Sequence, residues 1–105
     1  MNITKIKSYY GFAYKSNGLV VGLDNILKKK CYIIVADNAL AQNSKNKCEN
    51  RAKELNIKVA YIKTEDMCDI TQNSKILAFG ISNKDLADAI YKNLEIVEVY
   101  LRRSG

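Results

Sequence analysis

CYIIVA, residues Cys31 to Ala36, is the stretch that decides the fold. It is a continuous apolar run containing the β-branched Ile33, Ile34 and Val35, whereas a strand with one solvated face would alternate apolar and polar residues. It therefore reads as a central strand buried on both faces. Such a strand needs helices above and below it, so its neighbours should alternate between helix and strand.

They do. Upstream, Leu19-Val20-Val21 reads as a short strand, and before it Ile3, Ile6, Tyr10 and Ala13 recur at steps of three and four, predicting an amphipathic helix that Asn17-Gly18 stops. Between the two strands the pattern predicts a helix from about Asp24 to Lys29, with Leu23, Ile26 and Leu27 inward and lysines at its C-terminal end, where they complement the dipole. Downstream, a polar loop, Asp37 to Asn43, leads to a helix N-capped by Ser44. Cys48, Ala52 and Leu55 mark its inner face, Lys45, Lys47, Arg51 and Lys53 lie elsewhere on it, and Asn56 stops it. Val59 to Ile62 is a strand, Thr64 caps a short helix carrying Glu65 and Asp66 in its first turn, and Lys75 to Ile81 is another strand. Ser82 with Asp85 forms a capping-box pattern for a helix buried along Leu86, Ala89 and Ile90, and Ile96 to Leu101 is the last strand. The expected architecture is α/β: a three-layer α/β/α sandwich around a central mixed sheet. At 105 residues the chain reads as one domain, residues 1–105, with no proline, repeat or low-complexity segment to suggest a linker.

Composition narrows the function. Seventeen Lys and Arg against eleven Asp and Glu leave a net charge of +6, a field able to attract a polyanion, and lysine-rich surfaces also occur without one. No run approaches the roughly 18 to 20 apolar residues of a membrane span, and MNITKIKSYY lacks the apolar centre of a signal peptide, so the expected address is cytoplasmic. Cys31, Cys48 and Cys68 have no CxxC spacing and the chain has no histidine, so no metal site is expected and the cysteines read as buried thiols. The missing histidine also removes the usual neutral-pH acid/base, and no nucleophile sits in an activating motif, so the chain reads as a non-enzyme without a cofactor. The glycines of Gly18-Leu-Val-Val-Gly22 match neither the Walker A nor the GxGxxG spacing.

Gly22 to Lys28 is more informative. A glycine before a helix lets the backbone turn tightly and turns N–H groups towards an anion, Asp24 and Asn25 project from the first turn, and Lys28 follows Asp24 on the same face. The same residues also read as an ordinary capped surface helix with solvated lysines.

GFAYKSNGLVVG followed by a helix, then YIIVADNA, KNKCENRAKEL, NIKVAYI and KILAFGISNKDLADAI, together resemble the kink-turn-binding ribosomal-protein superfamily. This is the family of archaeal ribosomal protein L-seven-Ae and eukaryotic L-thirty-e, and the chain looks most like its short bacterial YlxQ-like branch. The similarity runs from about residue 8 to residue 92 and lies in the order and spacing of the segments, not in one motif. The resemblance implies an L-thirty-e-like sandwich that reads tandem sheared G·A pairs through a glycine, an Asn, a Glu and a Lys at the start of its second helix. The glycine matches Gly22, followed by Leu23, and the Lys matches Lys28; the Asn falls on Asp24 and the Glu on Asn25, so two of the four positions depart from the pattern. A second contact loop would be Ala36-Asp37-Asn38, and a third Asn73, Ser74, Lys75 and Ile76, preceded by Met67-Cys68-Asp69-Ile70 where the family carries small residues.

On this resemblance the chain is expected to be a non-catalytic, monomeric RNA-binding protein. Its partner would be structured RNA, ribosomal or another non-coding RNA, with ribosome or translation proteins as further partners. Lys28, Lys29 and Lys30 would supply charge for the backbone while the helix start supplies hydrogen bonds. Two alternatives stand beside it: a protein-interaction module on the same fold that has lost kink-turn recognition, favoured by Asp24, Asn25, Cys68 and Ile70, and kinship with substrate-binding domains of RNA-modifying enzymes.

Overall fold

The computed structural model describes residues 2–101. Five helices and five strands alternate along the chain: α1 (Ile3–Lys15), β1 (Leu19–Val21), α2 (Leu23–Ile26), β2 (Ile33–Asp37), α3 (Gln42–Leu55), β3 (Lys58–Ile62), α4 (Thr64–Thr71), β4 (Ala78–Ile81), α5 (Lys84–Asn93) and β5 (Glu98–Tyr100). The strands form one sheet in the order β1-β4-β2-β3-β5. Only β2 and β3 run parallel, with Ile33 opposite Lys58 and Asp37 opposite Ile62; the other pairings are antiparallel, so the sheet is mixed.

All five residues of β2 are buried, and their alternation divides the core in two. Ile33 and Val35 join Ile62, Phe79 and Ile81 beneath α1, α4 and α5, where Ile6, Met67 and Ile90 pack. Ile34 and Ala36 face the other way, with Val59, Tyr61 and Ala78, and are covered by Ile26 of α2 and Cys48 and Ala52 of α3. Two apolar clusters on opposite faces of one sheet make the expected three-layer α/β/α sandwich.

The element boundaries depart from the sequence reading in instructive ways. Cys31 and Tyr32 precede β2, yet Cys31 is buried because its side chain lies against Gly80 of β4. A Cβ at Gly80 would come within 2.9 Å of the Cys31 Sγ, so glycine there is what admits the thiol. Helix α3 begins at Gln42 after Ala41, not at Ser44, and it ends as expected at Asn56, whose left-handed φ of 57° lets Ile57 N–H bond to Ala52 O at 3.0 Å. Asn83, not Ser82, caps α5 by accepting Leu86 N–H at 3.0 Å, and the buried residues of that helix are Ala87 and Ile90, with Ala89 half-buried. Residues 75–77 lie outside β4. Helix α2 is one turn, and Leu27, expected inward, is 39 % exposed. Cys31 and Cys48 are buried, but Cys68 is exposed on the outer side of α4. No helix among the described residues is long and apolar enough to cross a membrane.

Candidate nucleic-acid interface

Because β1 and β2 run one way and β4 the other, the C-terminal ends of β1, β2 and β3 and the N-terminal end of β4 share one end of the sheet. Three loops meet there. Gly22 turns the chain from β1 into α2 with φ 85° and ψ 155°, a conformation reached almost only by glycine. Its N–H donates to Ala78 O at 3.0 Å, so it is already used within the fold, and a Cβ there would meet nothing within 4 Å. Backbone conformation, not crowding, requires the glycine, and the space beside it is open.

The first turn of α2 presents Asp24 and Asn25 to solvent. No side chain caps this helix, so Asp24 does not compete for its N–H groups. Asn25 folds back and donates one Nδ2–H to Val21 O at 2.8 Å, which fixes the side chain and leaves its second N–H to donate and Oδ1 to accept. Beyond α2, Arg51 of α3 satisfies the carbonyls the short helix leaves unpaired: Nε donates to Ile26 O at 3.0 Å and Nη2 to Lys29 O at 3.2 Å. Lys28 is exposed in that turn and lines neither cleft described below. Lys30 lies further off, 5.8 Å from the Tyr32 ring, and Tyr32 N–H bonds to Ile81 O at the far end of β4. Lys30 thus lies towards the other end of the sheet and not at the loop cluster.

The second predicted contact loop is mostly buried. Ala36 is fully buried, and Asp37, only 2 % exposed, lies at the floor of the cleft it lines. Asp37 is a structural knot: its Oδ1 accepts Thr64 Oγ1–H at 2.7 Å and Ala39 N–H at 2.8 Å, while its N–H donates to Leu77 O at 2.8 Å. Thr64, expected to cap α4, instead ties that helix to β2, and Lys63 occupies the cap position without a side-chain bond. Asn38 stays half-buried at the surface, its N–H on Ile62 O at 2.8 Å.

The third loop is a tight turn. Asn73 Oδ1 accepts Lys75 N–H at 2.9 Å and Asn73 O accepts Ile76 N–H at 3.1 Å, closing it on itself. Gln72, at φ 58°, ends α4 ahead of it. Asn73, Ser74 and Lys75 are exposed and Ile76 is half-buried.

Two adjoining clefts result. One, of about 270 Å³, lies between Gly22 and Leu23, Leu40 and Ser44 of the β2–α3 side, and Lys75 and Ile76. The other, of about 330 Å³, lies between Thr64, Met67 and Cys68 of α4 and Ser74, Ile76 and Leu77. Of the predicted residues, the fold brings Gly22, Leu23, Lys75 and Ile76 around the first cleft and Asp37, Ser74 and Ile76 around the second, while Asp24, Asn25 and Asn73 stand exposed on the same loops and Lys28 lines neither cleft. The sequence reading missed Leu40, Ser44 and Leu77. An apolar residue inside the polar stretch 37–43 was the available signal for Leu40; Leu77 was absorbed into the following strand, although it is 44 % exposed. Lys75 is the one basic residue lining either cleft among the described residues, against the acids Asp37 and Glu65. No group of three His, Cys, Asp or Glu among the described residues is placed to hold a metal ion.

No protein-family model matches the chain, and no curated protein matches its sequence. Among solved structures, one of a protein of unknown function from Bacillus halodurans is similar to it with a TM-score of 0.72 at 13 % identity, covering 84 % of this chain and 94 % of that one. At that identity the likeness establishes a shared α/β fold.

Proposed function

We propose that the chain is a small non-catalytic RNA-binding protein that recognises structured, kink-turn-like RNA through the start of α2 and the turn 73–77. The observation that carries this reading is the convergence of Gly22-Leu23 with Lys75-Ile76 on one open cleft, from segments about fifty residues apart. The segments are those that the sequence resemblance to kink-turn-binding ribosomal proteins implies. Open space beside Gly22 lets an RNA backbone approach closely, Asn25 Oδ1 and Asp24 accept hydrogen bonds from guanine amino groups, and Lys75 supplies a phosphate contact. Splayed bases with unpaired edges suit such a site better than a regular duplex. Cytoplasmic ribosomal or other non-coding RNA is the proposed partner.

The test is a titration of a kink-turn RNA and an unkinked duplex of equal length at several salt concentrations. Preference for the kinked RNA supports the reading. Absence of binding to both favours the protein-interaction module, for which the exposed Leu77 and the apolar Leu40 and Ile76 beside it are the supporting surface.

A further inference from the structure

At the opposite end of the sheet, a cleft of about 280 Å³ opens between Tyr32, Ile57, Lys58, Lys84, Asp88 and Leu101. Tyr32 precedes β2, Lys58 begins β3 opposite Ile33, and Lys84 opens α5 just after β4, so three elements deliver these side chains to one place. About 10 Å of β4 separates this end from the loop cluster, at roughly 3.4 Å per residue over Ala78–Ile81. Tyr32 is 40 % exposed, with the Lys30 ammonium 5.8 Å from its ring centroid, near the outer limit of a cation–π contact. Lys58 is held 3.9 Å over the Tyr91 ring, which fixes its charge at the cleft wall. Two lysines, Lys58 and Lys84, thus line the cleft against one aspartate, Asp88, with Lys30 beside the Tyr32 ring, whereas the clefts at the other end are lined by one lysine against two acids.

We infer that this end of the sheet is a second binding surface that holds single-stranded nucleic acid, one base stacked on Tyr32 and the flanking phosphates on Lys30, Lys58 and Lys84. An exposed aromatic ring set among cations is the combination that binds single strands, because every base offers a π-face and every linkage a phosphate. An acidic peptide would use the cations and leave the ring unused. The cleft lies just below the roughly 300 to 1,000 Å³ of small-molecule sites, enough for one base and not for a duplex. This surface is independent of the reading proposed for the other end.

The experiment is fluorescence anisotropy of a labelled twelve-nucleotide oligouridylate with the full chain at several salt concentrations, with polyglutamate as competitor. Tyr32→Leu, which keeps apolar bulk and removes the ring, should weaken binding about tenfold, and Tyr32→Phe should retain it. Lys58→Gln with Lys84→Gln should flatten the log-log salt dependence by about 1.4, two single-strand phosphate contacts at roughly 0.7 each. Lys5→Ala, on exposed α1 and lining none of these clefts, should leave the affinity unchanged. The inference is overturned if the oligonucleotide does not bind, if Tyr32→Leu binds it as well as the parent, if Lys5→Ala weakens it as much as the lysine pair, or if polyglutamate displaces it at equal charge concentration. Since kink-turn binding is read out on Lys75 and oligouridylate binding on Tyr32, either site can fail without the other.

Discussion

Asp37 shows how one buried side chain can organise a loop cluster. Its carboxylate holds Thr64 and Ala39 while its N–H reaches Leu77, so β2, α4 and the chain entering β4 are fixed through one residue. Asp37→Ala should destabilise the protein by about 2 to 3 kcal/mol in chemical denaturation, since hydrogen bonds to a charged group are the stronger kind and their buried donors lose a partner. Thr64→Val should cost about 1 kcal/mol, because the second bond to Ala39 remains. The cysteines give a second prediction. Burial pushes the Cys31 thiol up to about 11 from 9.0, with Arg51 acting weakly the other way. Cys48 is likewise pushed to about 11 by burial, with Glu49 adding to it. Disulfide exchange with a small aromatic reagent at neutral pH should therefore modify Cys68 rapidly and the other two only on unfolding. Both buried thiols keep their protons in the folded state at pH values where the unfolded chain has lost them. Their contribution to stability is thus complete below about pH 9 and is lost between pH 9 and 11, on the order of 1 kcal/mol per thiol per pH unit. Denaturation midpoints measured across that window should fall; a flat profile would mean the thiols are not sealed from solvent.

At the scale of the element, α2 is too short to be stable by itself, and its position depends on Arg51 reaching across from α3 to Ile26 O and Lys29 O. Arg51→Ala should cost about 1 to 2 kcal/mol and raise amide exchange in residues 23–29 more than elsewhere. Gly22→Ala should cost about 1 to 3 kcal/mol from backbone strain alone, because nothing crowds the added methyl. Gly80→Ala should also destabilise, for the opposite reason: its backbone is unstrained but its Cβ would strike the Cys31 Sγ. Asp24→Asn with Asn25→Glu restores the resemblance-implied pattern at unchanged net charge, but glutamate cannot donate to Val21 O as Asn25 does. The expected result is sharper selectivity for kinked RNA with a stability loss of about 0.5 to 1.5 kcal/mol, measured by competition binding and by denaturation. Unchanged selectivity in a folded double variant removes α2 from the site.

Taken as a whole, the molecule separates its chemistry between the two ends of one sheet. The clefts of the loop cluster are lined by backbone, hydrogen-bonding groups and one lysine; the cleft at the other end is lined by Tyr32 and two lysines, with Lys30 beside the ring. RNA affinity at the loop cluster should depend on Lys75 more than on Lys28: Lys75→Ala should weaken kink-turn binding by about 1 kcal/mol or more and Lys28→Ala by less, as read by titration at one salt concentration. Equal losses would show the charge acting diffusely.

The architecture was legible in CYIIVA and the alternation around it, because a strand buried on both faces has only one way to be covered. The apolar spacing of α1 and α5, and Asn56 at the end of α3, were legible too, since they reflect local backbone and burial preferences. What the linear pattern could not carry was pairing across distance. Asp37 and Thr64 are twenty-seven residues apart, and Arg51 lies twenty-five from Ile26. Those contacts make Asp37 a buried knot and tie the end of the one-turn α2 to α3. Lysine spacing likewise says nothing of which end of a strand each charge reaches; the antiparallel course of β4 decided that, sending Lys30 and Tyr32 to the end away from Gly22.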